Sequence, residues 1–102
     1  MKRVYECEIA KKGELTKLLE AEPYAPDSFA RNGYKTKEGA VIGEDKAKFY
    51  LFLSADEAFL KKAEEKIKGL AARANEDVEK RIAALVEKEE DSATEGFGGI
   101  FG

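Results

Sequence analysis

The stretch Ala47–Leu53, AKFYLFL, constrains the fold of this chain more than any other. Its aromatic and apolar side chains suit a pleated, covered surface, and the run is too short for a buried helix. A strand satisfies its backbone only inside a sheet, so the remaining residues must supply partner strands and a layer to lie over them. The chain has 102 residues, so one domain has to do this. At that size a chain buries only about 60–65% of its unfolded surface, which makes for a modest core.

Two segments read as partners. Residues 3–10 alternate: Tyr5, Cys7 and Ile9 point one way, and Val4, Glu6 and Glu8 the other. Tyr34 to Ile42 reads as an irregular strand, with Gly39 inviting a bulge. Gly43-Glu44-Asp45-Lys46 is turn chemistry between it and Ala47–Leu53. Leu15, Leu18 and Leu19 have helical spacing and predict a short helix over about 13–21, stopped by Pro23 and Pro26. The stretch Tyr24 to Gly33 reads either as one helical turn from Pro26 with Gly33 as its terminator, or as loop.

Ser54-Ala55-Asp56-Glu57 has the spacing of a capping box, with the Ser hydroxyl on the Glu57 amide. Phe59, Leu60, Ala63, Ile67, Leu70, Ala71 and Ala74 then form an apolar stripe that continues through Val78, Ile82 and Leu85. One long helix fits this phase. Gly69 weakens it, and Asn75-Glu76-Asp77 offers a fresh N-cap with acids in the first turn, so two helices joined by a short extended link at about 70–75 fit better. The order of elements predicts an α+β domain with an antiparallel sheet, helices packed on one face, and a C-terminal helix and tail. A ferredoxin-like arrangement is the first topology to expect. The boundaries expected are a domain over 1–86 and an acidic, Gly-rich tail over 87–102.

Catalysis finds little to work with. There is no His, and the single cysteine, Cys7, falls on the inward face of its strand, where a free thiol behaves as a small hydrophobe. One Cys without His cannot hold zinc, and no segment has calcium-loop spacing. Glu6 and Glu8 share a face about 7 Å apart, a separation that would suit a carboxylate pair, but a solvated face is the reading the pattern favours. Gly96-Phe97-Gly98 begins like a dinucleotide loop, but Phe101 takes the place of the third glycine. The expectation is therefore a non-enzyme without cofactor or metal. No apolar run is long enough to span a membrane, and Glu6 and Glu8 interrupt any signal-peptide core, which predicts a cytoplasmic protein. Abundant Lys and Glu with no His or Trp follow the compositional trend of hyperthermophiles.

Two binding surfaces emerge. A four-residue loop at 43–46 would pair Val41 with Lys48 and Lys37 with Phe52. Tyr34, Ala40, Ile42, Phe49, Leu51 and Leu53 would then share the core face, and Lys35, Lys37, Lys48, Tyr50 and Phe52 the other. Lysines interleaved with rings on an open sheet can hold single-stranded nucleic acid, the bases stacking and the lysines tracking phosphates. Cross-strand ion pairs, or cover by the C-terminal helix, explain the same pattern.

The second surface is the tail. Residues 87–102 hold five acids against one base, while 1–86 hold 17 bases and 16 acids, so the acidity belongs to the tail. Glu87-Lys88-Glu89-Glu90-Asp91-Ser92-Ala93-Thr94-Glu95 is followed by Gly96-Phe97-Gly98-Gly99-Ile100-Phe101-Gly102. Phe97, Ile100 and Phe101 have i, i+3, i+4 spacing and would fall on one face of a helix induced by a partner groove. This tail resembles the C-terminus of the archaeal acidic ribosomal stalk protein, which ends in a Glu/Lys run and a Gly/Leu/Ala/Phe motif closing in Phe-Gly. Phe97 and Ile100 stand where that family usually has leucine, and Gly99 where alanine is common. The resemblance covers about the last fourteen residues and none of the body. It implies an archaeal protein whose tail docks a protein partner of the translation-factor class, chiefly a translational GTPase, or competes for it. An apolar end on an acidic tail is also explained by a lid folded back on its own body, or by a disordered and idle segment.

Overall fold

A computed structural model describes residues 1–22, 24–26 and 28–101, with side chains through Glu89. Four strands, β1 (Lys2–Glu8), β2 (Tyr34–Glu38), β3 (Lys48–Ser54) and β4 (Ala71–Arg73), form one antiparallel sheet in the order β2-β3-β1-β4. The helices are α1 (Lys12–Glu20), the single turns α2 (Phe29–Asn32) and α3 (Gly39–Ile42), then α4 (Glu57–Ile67) and α5 (Glu76–Phe101). Because each neighbouring pair is antiparallel, β1 and β2 run parallel across β3, and β3 and β4 run parallel across β1. Two interlocked β-α-β units result. This is the ferredoxin-like, split β-α-β topology expected of the sequence, with α5 added.

The sheet is buried on both sides. On one face Tyr5, Cys7, Phe49, Leu51 and Leu53 pack against Leu15 and Leu19 of α1, Phe29 of α2, and Phe59, Leu60, Ala63 and Ile67 of α4. Phe29 and Phe59 meet edge to face, with centroids 5.8 Å apart. On the other face Val4, Tyr50 and Phe52 pack against Ala74 and against Ile82 and Val86 of α5. The unbroken apolar run of β3 is the mark of a strand covered on both sides.

Several local expectations need correcting. The second strand ends at Glu38, because Gly39 starts a helical turn where a bulge was expected. That turn lengthens the connection and moves the hairpin register by two: Lys37 faces Tyr50 and Lys35 faces Phe52. Val41 does not pair with Lys48; Val41 and Ala40 are exposed, and Ile42 joins the α5-side core. The cap of α4 is Asp56, whose carboxylate accepts from the Phe59 amide at 2.8 Å, in place of Ser54. The break between the last two helices lies where expected. Gly69 has φ +90°, β4 runs through 71–73, and the Asn75 side chain caps α5 by accepting from the Val78 amide at 2.9 Å.

Candidate interaction surfaces

The sheet surface expected to meet nucleic acid is closed. Tyr50 is 2% and Phe52 5% exposed, both beneath α5. Lys37 pairs with Glu89 of α5 at 2.6 Å, and Lys35 and Lys48 are half-buried. The register does bring the five residues onto one face, but a docked helix takes the space that bases would need. Further ion pairs fasten that helix. Lys2 pairs with Glu87, and Arg81 makes a two-bonded pair with Glu44 at 2.7 and 2.9 Å.

Glu79 is the most connected of these groups. Its carboxylate accepts from Arg73 Nε and Nη2 at 2.7 and 2.8 Å, and Oε2 also accepts from the Val4 amide at 3.1 Å. It thus replaces a ladder partner for β1 where β4 has run out, and ties edge strand, central strand and α5 together. The Arg73 guanidinium, helped by the Val4 amide, holds the Glu79 carboxyl below its usual range, against the opposing effect of burial.

A second network lies between β1 and α4. Tyr5 Oη and Arg3 Nη1 each donate to Glu64 Oε1 at 2.7 Å. Burial, then the hydrogen bond to Glu64, pushes the Tyr5 phenol up, and the same bond pulls the Glu64 carboxyl down, with Arg3 adding to it. The phenol therefore stays a donor and the carboxylate an acceptor. Cys7 is 2% exposed and burial raises its thiol, which leaves it a poor nucleophile.

Around this network two open clefts flank the edge strand β4. One, of about 340 Å³, lies on the α4 side and is lined by Arg3, Tyr5, Glu64, Lys68 and Arg73, among others. The other, of about 240 Å³, is lined by Glu6, Glu8, Lys11, Lys48 and Leu70, among others. Ala71 and Ala72 of β4 line both. Sequence reasoning did not find these residues as a group. A signal was present in Glu64, a carboxylate four residues after Leu60 and three before Ile67, and so at the margin of the buried stripe of α4.

Among the described residues no group of three or more His, Cys, Asp or Glu is placed to hold a metal ion, and no helix is long and apolar enough to cross a membrane. The side chains of Phe97, Ile100 and Phe101 lie outside the described residues. No protein-family model, no curated protein and no solved structure matches the chain.

Proposed function

We propose that this chain is an archaeal interaction domain that works in the cytoplasm, docking a translational GTPase through Phe97, Ile100 and Phe101 of its C-terminal tail. The observation that carries the reading is that the described side chains of α5, through Glu89, already close the second face of the sheet. Val86 is fully buried against β1 and β3, and Glu87 and Glu89 then pair with Lys2 and Lys37 of the body. The body has thereby satisfied its own apolar faces, yet the sequence goes on to acids and then to three more large apolar residues. Burying those side chains in a partner groove contributes about 1.5–3 kcal/mol each before the cost of ordering, which supports micromolar, transient docking.

The test compares the full chain with one ending at Glu95, titrated calorimetrically against purified archaeal elongation factors. Micromolar binding by the full chain and none by the shortened one is expected. Equal binding by both, or none by either, ends this reading.

A further inference from the structure

The two edges of the sheet are protected very differently. At one, β2 carries Lys35, Lys37 and Glu38 and is followed directly by the α3 turn. Charges and covering turns are how sheets discourage pairing with another chain. At the other, β4 reads Ala71-Ala72-Arg73 after Leu70, and its one charge is drawn to Glu79 of the same molecule. No described strand lies beyond it. The Ala74 amide donates to the Val4 carbonyl at 3.0 Å, so the even-numbered positions of β4 face β1. By alternation, Ala71 and Arg73 direct their amides and carbonyls outward.

The clefts sit where an added strand would need them. Cross-strand pairing puts Ala71 and Arg73 on the Cys7 and Tyr5 face, and Ala72 on the Glu6 face. A strand laid along β4 would drop alternate side chains toward the α4-side cleft and the cleft on the Glu6 face. The α4-side cleft holds the cations Arg3, Lys68 and Arg73; Glu64 answers Arg3 and Glu79 answers Arg73, so the excess positive charge of the cleft is carried by Lys68 at its rim. The other is balanced, with Lys11 and Lys48 against Glu6 and Glu8, and Lys11 Nζ donates to the Gly69 carbonyl at 3.2 Å.

We propose that the β4 edge is a docking site for an extended, acidic segment of a protein partner, which adds as a further strand and places its carboxylates in the Arg3/Lys68/Arg73 cleft. Backbone bonds to Ala71 and Arg73 give affinity, and the alternating clefts give selectivity. A second copy of this chain is the poorer occupant. Antiparallel pairing of β4 with itself about Ala72 would set each Arg73 beside the other copy's α4-side cleft, whose excess charge, from Lys68, has the same sign. This site is separate from the tail and does not depend on it.

The probe is a fluorescein-labelled heptapeptide alternating valine and glutamate, compared with the same peptide carrying lysine for glutamate, both titrated into the full chain by anisotropy. The glutamate peptide should bind at least tenfold more tightly. Ala71→Pro, which removes an outward amide that β1 does not use, should weaken it by tenfold or more while the melting curve stays close to that of the parent. Lys68→Glu, on an exposed helix end, should weaken the glutamate peptide and strengthen the lysine one. Equal binding of the two peptides, no binding at millimolar concentration, or indifference to both substitutions overturns the proposal. So does a dimer in sedimentation that Ala71→Pro abolishes while neither peptide binds, because the occupant is then a second copy.

Discussion

At the scale of single residues, two glycines show how space and conformation separate. A Cβ on Gly39 would stand 1.8 Å from the backbone carbonyl oxygen of Asp45, and backbone cannot swing aside as a side-chain tip can. Gly39→Ala should cost about 3 kcal/mol, at the upper end of overpacking, and urea unfolding reads it directly. A Cβ on Gly13 would meet nothing within 4 Å, and that residue sits in the first turn of α1. Gly13→Ala should stabilise by about 0.5 kcal/mol through the unfolded state. The sequence marked Gly39 as special but suggested a bulge. Only the fold brings the Asp45 carbonyl against it, and no local pattern records that approach.

Carboxylates make the second residue-scale argument. Glu44, Glu64 and Glu79 are held below the ordinary 4.5 chiefly by Arg81, Tyr5 and Arg73, respectively. A depressed folded-state pKa contributes stability that is complete above the unfolded value and is lost as pH falls through the folded one. Stability should therefore be level between about pH 5 and 8, decline below 4.5 as these carboxylates protonate, and decline again in alkali, where the buried Cys7 thiol and Tyr5 phenol resist ionisation. Glu79→Gln should lower the urea midpoint near neutrality and lose less on acidification, so that the gap between the two proteins is smaller at about pH 3 than at about pH 7. Parallel curves at both pH values would show that the Glu79 charge contributes nothing.

At the scale of elements, the chain was legible wherever a local signal decided the outcome. Gly69 and the Asn75 cap broke the stripe at the expected place, because a left-handed glycine and a side-chain acceptor act within a few residues. Asn75→Ala should cost about 1 kcal/mol, and loss of helicity on mild heating would report it. The cap expected at Ser54 passes to Asp56, because the chain is still extended at Ser54, the last residue of β3. The register of β2 on β3 was not legible. It depends on how many residues the α3 turn consumes, and a shift of two leaves the face of every side chain unchanged, so the alternating pattern cannot detect it. That insensitivity is also why the sheet-face lysines and rings were grouped correctly; of the readings the pattern left open for that face, cover by the C-terminal helix is the one the structure has.

At the scale of the whole molecule, the deciding fact is that the sheet has two cores. Ile82 and Val86 of α5 are as buried as Leu60 of α4, and they cover Val4, Tyr50 and Phe52. If α5 is integral, removing it uncovers a row of rings and leaves the Val4 amide without its Glu79 acceptor. A chain ending at Asn75 should then lose its cooperative thermal transition, bind a hydrophobic dye and self-associate in sedimentation. Ile82→Ala in the full chain should cost about 2–4 kcal/mol, the range for truncating a fully buried aliphatic side chain. The contrary result has equal physical meaning. A shortened chain that stayed folded and monomeric would present Tyr50 and Phe52 between Lys35, Lys37 and Lys48 on an open sheet. Salt-dependent binding of single-stranded RNA by that form alone would make α5 a removable cover, its Glu87 and Glu89 standing on Lys2 and Lys37 where phosphates would otherwise lie.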